Sequence, residues 1–216
     1  MHRSRSRLGR LLAAGILLMN GAACEPGASE EPSEQPARAG GWRTPGCEFS
    51  RSAQHVVVGG VRMLVTPAKL NAVIERIESG GRQRFAASYA GVEVDQDRVR
   101  AIVYRVPSEP FDDFVRHSAE DVCVVVRDAA HGVAELTEWH DRLVLDLPYW
   151  AEQGVQIVTV GSRHDGVGVE VGTRDVERAR NLLPARYGAG APLVFVEEGP
   201  VVPYPGGRPP APPAGG

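Results

Sequence analysis

The chain has 216 residues, with 24 Lys+Arg against 27 Asp+Glu, a formal net charge of −3, 25 Gly, 17 Pro and three Cys. At 43% hydrophobic and 24% charged it has ordinary globular composition. Its acidic balance excludes an electrostatic nucleic-acid binder, which needs a basic face. Both ends are compositionally biased, so only the middle of the chain is expected to build a core.

Residues 1–23 read as a signal peptide. Arg3, Arg5, Arg7 and Arg10 form a positive n-region, Leu11–Met19 an apolar h-region, and Gly21-Ala22-Ala23 precede Cys24. The apolar run is far shorter than the ~20 residues a helix needs to cross a ~30 Å hydrocarbon core, but it suits a cleaved leader. The small residues before Cys24 resemble the lipobox of bacterial lipoproteins, which implies a lipidated Cys24 as the mature N-terminus. That family usually carries an aliphatic residue where Gly21 stands. Cleavage after Ala23 by an ordinary signal peptidase would instead yield a soluble secreted protein. Residues 24–46 are rich in Pro, Gly, Ser and Glu, and cannot bury enough apolar surface to offset their chain entropy, so a disordered tether is expected. Removing residues 1–23 takes away four Arg and no acid. The mature chain is then distinctly acidic, so a membrane partner would be reached through the lipid anchor.

With Cys24 assigned to lipid, Cys47 and Cys123 remain as a disulfide pair in an oxidising compartment. No C-x-x-C is present, so neither a redox nor a zinc motif is expected.

The folded domain is expected over residues 47–198. Val56–Gly60 and Val61–Val65 read as a hairpin through Gly59-Gly60. Thr66-Pro67 then opens a helix whose Leu70, Val73, Ile74 and Ile77 form one apolar stripe, with Gly80-Gly81 expected to end it. Val92–Val94 and Val99–Val106 flank a turn at residues 95–98. Ser108 is the expected cap of a short helix carrying Phe111, Phe114 and Val115, and Asp121–Arg127 is the next strand. A second pass follows from Val133. It comprises a helix interrupted at Pro148, strands flanking the turn at residues 161–166, a helix capped by Thr173 and stopped by Pro184, and a strand at Leu193–Val196.

The order α-β-β-α-β thus occurs twice, over residues 61–127 and 133–198, at a period of roughly 65 residues. The expected fold class is α+β: tandem αββαβ units of ferredoxin-like type, with antiparallel sheets and helices on one face. In the strand Val99–Val106, alternation places Val99, Ala101, Val103 and Arg105 towards the helices. Arg100, Ile102, Tyr104 and Val106 fall on the other face, where Arg100 and Tyr104 are the candidate contact residues. Residues 199–216 are Pro- and Gly-rich and read as a disordered tail.

The segment FAASYAGVEVDQDRVRAIVYRV, followed by a helix, a strand and the same order again, resembles the pro-region-type modules that precede secreted trypsin-like serine proteases. The likeness covers residues 85–198 and rests on an aromatic residue a few positions before Gly-Val ahead of a hairpin. It implies a module that assists folding of a protease or inhibits it by docking its sheet. No protease domain and no Gly-Asp-Ser-Gly segment are present.

Catalytic and metal chemistry find no motif. His131 and Glu135 have i, i+4 spacing, but Gly132 places His131 in a loop; His140-Asp141 are adjacent, and His164-Asp165 fall at a hairpin tip. Gly-x-Ser-x-Gly, Ser-x-x-Lys and a Cys with a nearby His are all missing. Asp112, Asp113 and Asp175 suit helix N-termini. Trp139, Tyr149 and Trp150 are expected to close the core between helix and sheet. No metal or cofactor is expected. The reading is an exported, lipid-anchored, non-catalytic surface protein that binds a protein or cell-envelope partner. A protease-regulatory module is the alternative, and an enzyme of unrecognised type the third.

Overall fold

A computed structural model describes residues 40–199. The signal peptide, Cys24, most of the tether and the tail from residue 200 lie outside the described residues. The elements run β1 (Trp42–Arg43), a 3-10 turn (Pro45–Glu48), β2 (Gln54–Val58), β3 (Val61–Val65), α1 (Ala68–Arg84), β4 (Tyr89–Asp95), β5 (Arg100–Arg105), α2 (Glu109–Ala119) and β6 (Val124–Asp128). There follow α3 (Val133–Leu145), α4 (Leu147–Glu152), β7 (Ile157–Ser162), β8 (Val169–Thr173), α5 (Val176–Tyr187) and β9 (Leu193–Glu197). The fold is α+β.

Two sheets share one internal plan. The first has the order β1-β6-β5-β4 and the second β7-β8-β9, while β2 and β3 form a separate ribbon. The expected antiparallel sheets are in fact mixed. β4–β5 and β7–β8 are antiparallel, but β5–β6 and β8–β9 are parallel. The reason is connectivity: a tight turn reverses the chain, whereas a helical crossover such as α2 or α5 returns it to run in the same direction. The ferredoxin-like reading is corrected for the same region. It needs β3 within the first sheet, yet β5 pairs directly with β6, and the outer edge of β6 is taken by β1, with Trp42 opposite Val126. Residues 40–46 therefore belong to the fold rather than to the tether.

Each sheet buries one face under its helices. In the first half, Leu70, Val73, Ile74 and Ile77 from α1 and Phe111, Val115 and Ala119 from α2 meet Ala101, Val103, Val124 and Val126. In the second, Leu136, Leu143, Trp150, Ala179, Leu183 and Tyr187 meet Val169 and Val171. The 3.6-residue and two-residue periods of these positions are what commit the segments to helix and strand.

Several expected boundaries move, each for a tertiary reason. The α1 helix runs through Gly80-Gly81 to Arg84. A Cβ on Gly81 would sit 2.5 Å from Tyr89 Cγ, and one on Gly80 would collide with the Phe114 ring. These glycines let ring systems close on the helix; they do not end it. Gly81→Ala is expected to destabilise by about 1–3 kcal/mol through overpacking, despite alanine's better helix propensity. A urea midpoint at or above that of the parent chain would show that Tyr89 yields freely.

Pro184 lies inside α5, and the helix is capped by Asp175, whose carboxylate accepts from the Arg178 amide at 2.9 Å. The expected cap Thr173 is buried in β8 and donates instead to the Gln156 carbonyl at 2.8 Å. Ser108 stands at the N-cap position of α2 without a side-chain capping bond. Pro148 opens α4 as a new helix. Val99 adopts φ +50° in the turn, so β5 begins one residue later, at Arg100.

Candidate functional site

The 3-10 turn after β1 is clasped to the start of β6. Thr44 donates its amide to the Val124 carbonyl at 3.0 Å and its hydroxyl to the Val122 carbonyl at 2.8 Å, and its Oγ1 accepts from the Val124 amide at 2.9 Å. Gly46 is buried, with the Asp121–Val122 backbone where a side chain would go. Beside them Cys47 and Cys123 are joined by a disulfide with Cα atoms 4.2 Å apart.

The face of the first sheet away from α1 and α2 carries Glu93 and Asp95 from β4, Arg100, Ile102 and Tyr104 from β5, and Val125 and Arg127 from β6. Register brings Asp95 opposite Arg100, Glu93 opposite Ile102, and Tyr104 opposite Arg127. Arg100 Nε donates to Asp95 Oδ2 at 2.9 Å, and the Tyr104 hydroxyl donates to Glu93 Oε2 at 2.9 Å. Burial raises the Tyr104 phenol above its ordinary range, and the bond to Glu93 adds to this. Burial would also raise the Asp95 carboxyl. Hydrogen bonds from the Arg98 amide and from the Arg100 and Arg98 guanidiniums outweigh that and hold it low.

The two ends of this face differ. At the Tyr104 end the His164 ring, from the β7–β8 turn of the second half, meets Tyr104 edge-on at 5.9 Å. The same turn passes so close to Gly91 that a Cβ there would strike the His164 backbone. Ile102, in the middle of the face, is buried. At the other end Arg100 opens on a groove of about 480 Å³, lined by Arg43, Phe49, Arg98 and the disulfide. The Arg43 guanidinium has no hydrogen bond or ion pair among the described residues. Of the two candidate contact residues, Arg100 therefore faces the groove, while Tyr104 is half-buried against the other half. The arrangement offers fixed cations, acids and one exposed aromatic, Phe49, which suits recognition of a polar surface.

Three other sets of residues complete the inventory. Arg105 is fully buried on the helix side of β5 and pairs with Asp112, itself 1% exposed, through Nε–Oδ1 at 2.8 Å, and with Asp128. Alternation puts Arg105 on the same face of β5 as Ala101 and Val103, but the sequence reading takes Asp112 only as an acid suited to a helix start, and its burial against Arg105 is set by tertiary packing. In the second half, Trp150 Nε1 donates to the Tyr187 hydroxyl at 2.8 Å, and that hydroxyl donates to Asp146 Oδ2 at 2.7 Å. Trp150 and Trp139 close the core as expected, while Tyr149 is exposed beneath the Arg186 guanidinium. His131 pairs with Glu135 at 3.0 Å and His140 with Asp141. Among the described residues no group of three or more His, Cys, Asp and Glu could hold a metal ion.

The Asp146 relay carries a pH signature. Its carboxyl is held below the usual range by the hydrogen bond from Arg186, with a second from Tyr187. A depressed folded-state pKa contributes stability above the unfolded value, near 3.9, and that contribution is lost as pH falls through the folded value. Melting temperature should therefore fall below about pH 4, and Asp146→Asn should flatten part of that acid limb. An Asn variant with an unchanged acid limb would show that the pairing does not differ between folded and unfolded states.

No protein-family model matches the chain, and no curated protein matches it. Among the described residues no helix is long and apolar enough to cross a membrane.

Proposed function

We propose that this is an exported, non-catalytic α+β module, held at a membrane through lipid on Cys24, which binds a protein or cell-envelope partner. The observation that carries the reading is the Cys47–Cys123 clasp beside the Arg100 end of the helix-free sheet face. A disulfide of this kind persists in oxidising compartments. Fixed guanidiniums beside an exposed Phe49 form a rim suited to a polar partner surface. The acid-rich segment after Cys24 would hold the domain away from the anchor. Mass spectrometry of the mature protein should find a diacylglyceryl Cys24, and Cys24→Ala should move the protein from the membrane to the soluble fraction. A mature form with a free N-terminus at another residue would remove the anchor.

The recurrence of one strand–helix order in both halves, α1 to β6 and α3 to β9, favours a second reading, a protease-regulatory module. Secreted trypsin-like serine proteases incubated with an equimolar amount of the mature chain should then lose activity, or should refold faster in its presence. Neither effect across such proteases would retire that reading.

A further inference from the structure

The ribbon of β2 and β3 has a face with nothing on it. Register pairs Val56 with Met63, Val58 with Val61, and Gln54 with Val65, so these side chains share one side, five of the six apolar. Val56, Val58, Val61 and Met63 are 45%, 61%, 62% and 53% exposed. Gly59 and Gly60, at φ +57° and +80°, turn the tip, and a Cβ on either would stand in open space. The ribbon contributes no residue to either core. Among the described residues no backbone hydrogen bond joins either strand to anything but the other. A two-stranded ribbon with a bare apolar face is marginal in water.

The surrounding charge selects the occupant. From Phe49 to Ile74 the chain has no Asp or Glu, although its overall charge is negative; the charged residues there are Arg51, Arg62 and Lys69. Arg51 and Lys69 share the single carboxylate of Asp121, and Arg62 meets only the His55 ring nitrogen, at 3.3 Å. One face of the ribbon is thus almost wholly apolar, the other carries His55, Val57, Leu64 and the cation Arg62, and Arg51 and Lys69 lie near its base. A second copy would bring like charges together, and a face of five side chains is far short of the ~20–30 residues a side that a stable interface uses. A bilayer needs no matching shape.

We propose that residues 54–65 lie in the interface of an anionic lipid surface. The apolar face sits at the acyl boundary and Arg62 among the phosphates, with the open strand edges kept in the hydrated headgroup layer because they have no partners to enter hydrocarbon. This contact deepens the membrane reading above but does not depend on acylation of Cys24.

The test uses the mature chain from Glu25 onward, which lacks the lipidated residue and retains all the described elements. Flotation is measured with phosphatidylcholine vesicles alone and with about 30 mol % phosphatidylglycerol added. The chain should float with the anionic vesicles, less so at high salt. Val58→Asp with Val61→Asp should weaken binding at least about tenfold, and Arg62→Glu about fivefold, with melting temperatures unchanged. No flotation with anionic vesicles, or equal flotation of the variants, would overturn the proposal. A dimer in light scattering that the Asp pair dissolves would assign the face to a second copy and overturn it equally. Because Cys24 is missing from the assayed chain, failure here leaves the lipid anchor to its own mass-spectrometric test.

Discussion

Arg105→Ala is expected to cost about 3–5 kcal/mol of stability, a large fraction of the ~5–15 kcal/mol that holds a typical domain folded. The guanidinium is fully buried and binds Asp112, which is 1% exposed, through two nitrogens, at 2.8 and 3.3 Å. Truncating it strands a carboxylate under α2 with its counter-charge gone, and the loss comes mainly from that uncompensated charge. Asp128, at 36% side-chain exposure, can turn to water and should suffer less. Urea unfolding near pH 7 measures the effect. The double variant Arg105→Met with Asp112→Leu should recover much of the loss, because it removes both charges and refills the space. A single variant that loses less than about 1 kcal/mol would mean that water reaches Asp112 and that the pair is not dry.

Reduction of the Cys47–Cys123 bond should cost about 4 kcal/mol on the chain-entropy model, since the cross-link spans 76 positions. Replacing both cysteines by alanine should act similarly. The effect has a location as well as a size. Thr44 and the turn at Pro45–Glu48 hold β1 on the edge of β6, so loss of the bond should free β1 first and expose the β6 edge. Hydrogen exchange should then accelerate at the Thr44 amide, whose acceptor is the Val124 carbonyl, well before the β5 amides respond. Equal unfolding midpoints with and without reductant, at full reduction, would show that the clasp holds without sulfur. Free thiols in the purified oxidised protein would overturn the pairing itself.

Much of the local structure was legible because it depends on near neighbours. The stripe Leu70, Val73, Ile74, Ile77 becomes the buried face of α1, and the alternation in β5 sends Ala101 and Val103 under the helices and Arg100 and Tyr104 away from them. Repetition of the strand–helix order in two halves was visible as well, since each half has its own periodic signals. Asp175 suits a helix start by its charge, yet the sequence points to Thr173 as the cap, and the structure gives that role to Asp175. Nothing in a window of a few residues says that Thr173 would be needed by Gln156 across a turn.

The open end of the sheet face was only half legible. Alternation separates Arg100 and Tyr104 from the helix side, but it carries no information on which of them the other half will cover. That depends on the β7–β8 turn, about sixty residues further along the chain, and on the small size of Gly91, which lets it approach. The groove by the disulfide draws Arg43 and Phe49 from a stretch near the tether boundary, where composition alone suggests no fold.

By itself, then, the amino-acid order determined most of the helices and strands from α1 onward and the inward and outward faces of β5, because these depend on local periodicity. Tertiary structure alone decided which strand lies beside which. The β5 strand takes β6 as a parallel neighbour, β1 closes the far edge, and β3 is left outside in a ribbon whose apolar face meets neither core. It also decided that Gly80 and Gly81 fall within α1, where the Phe114 and Tyr89 rings take the space of a side chain, and that Pro184 falls within α5. The physical reason is the same throughout: pairing partners and close approaches are set by residues distant in sequence, whose free energies enter only when the layers pack.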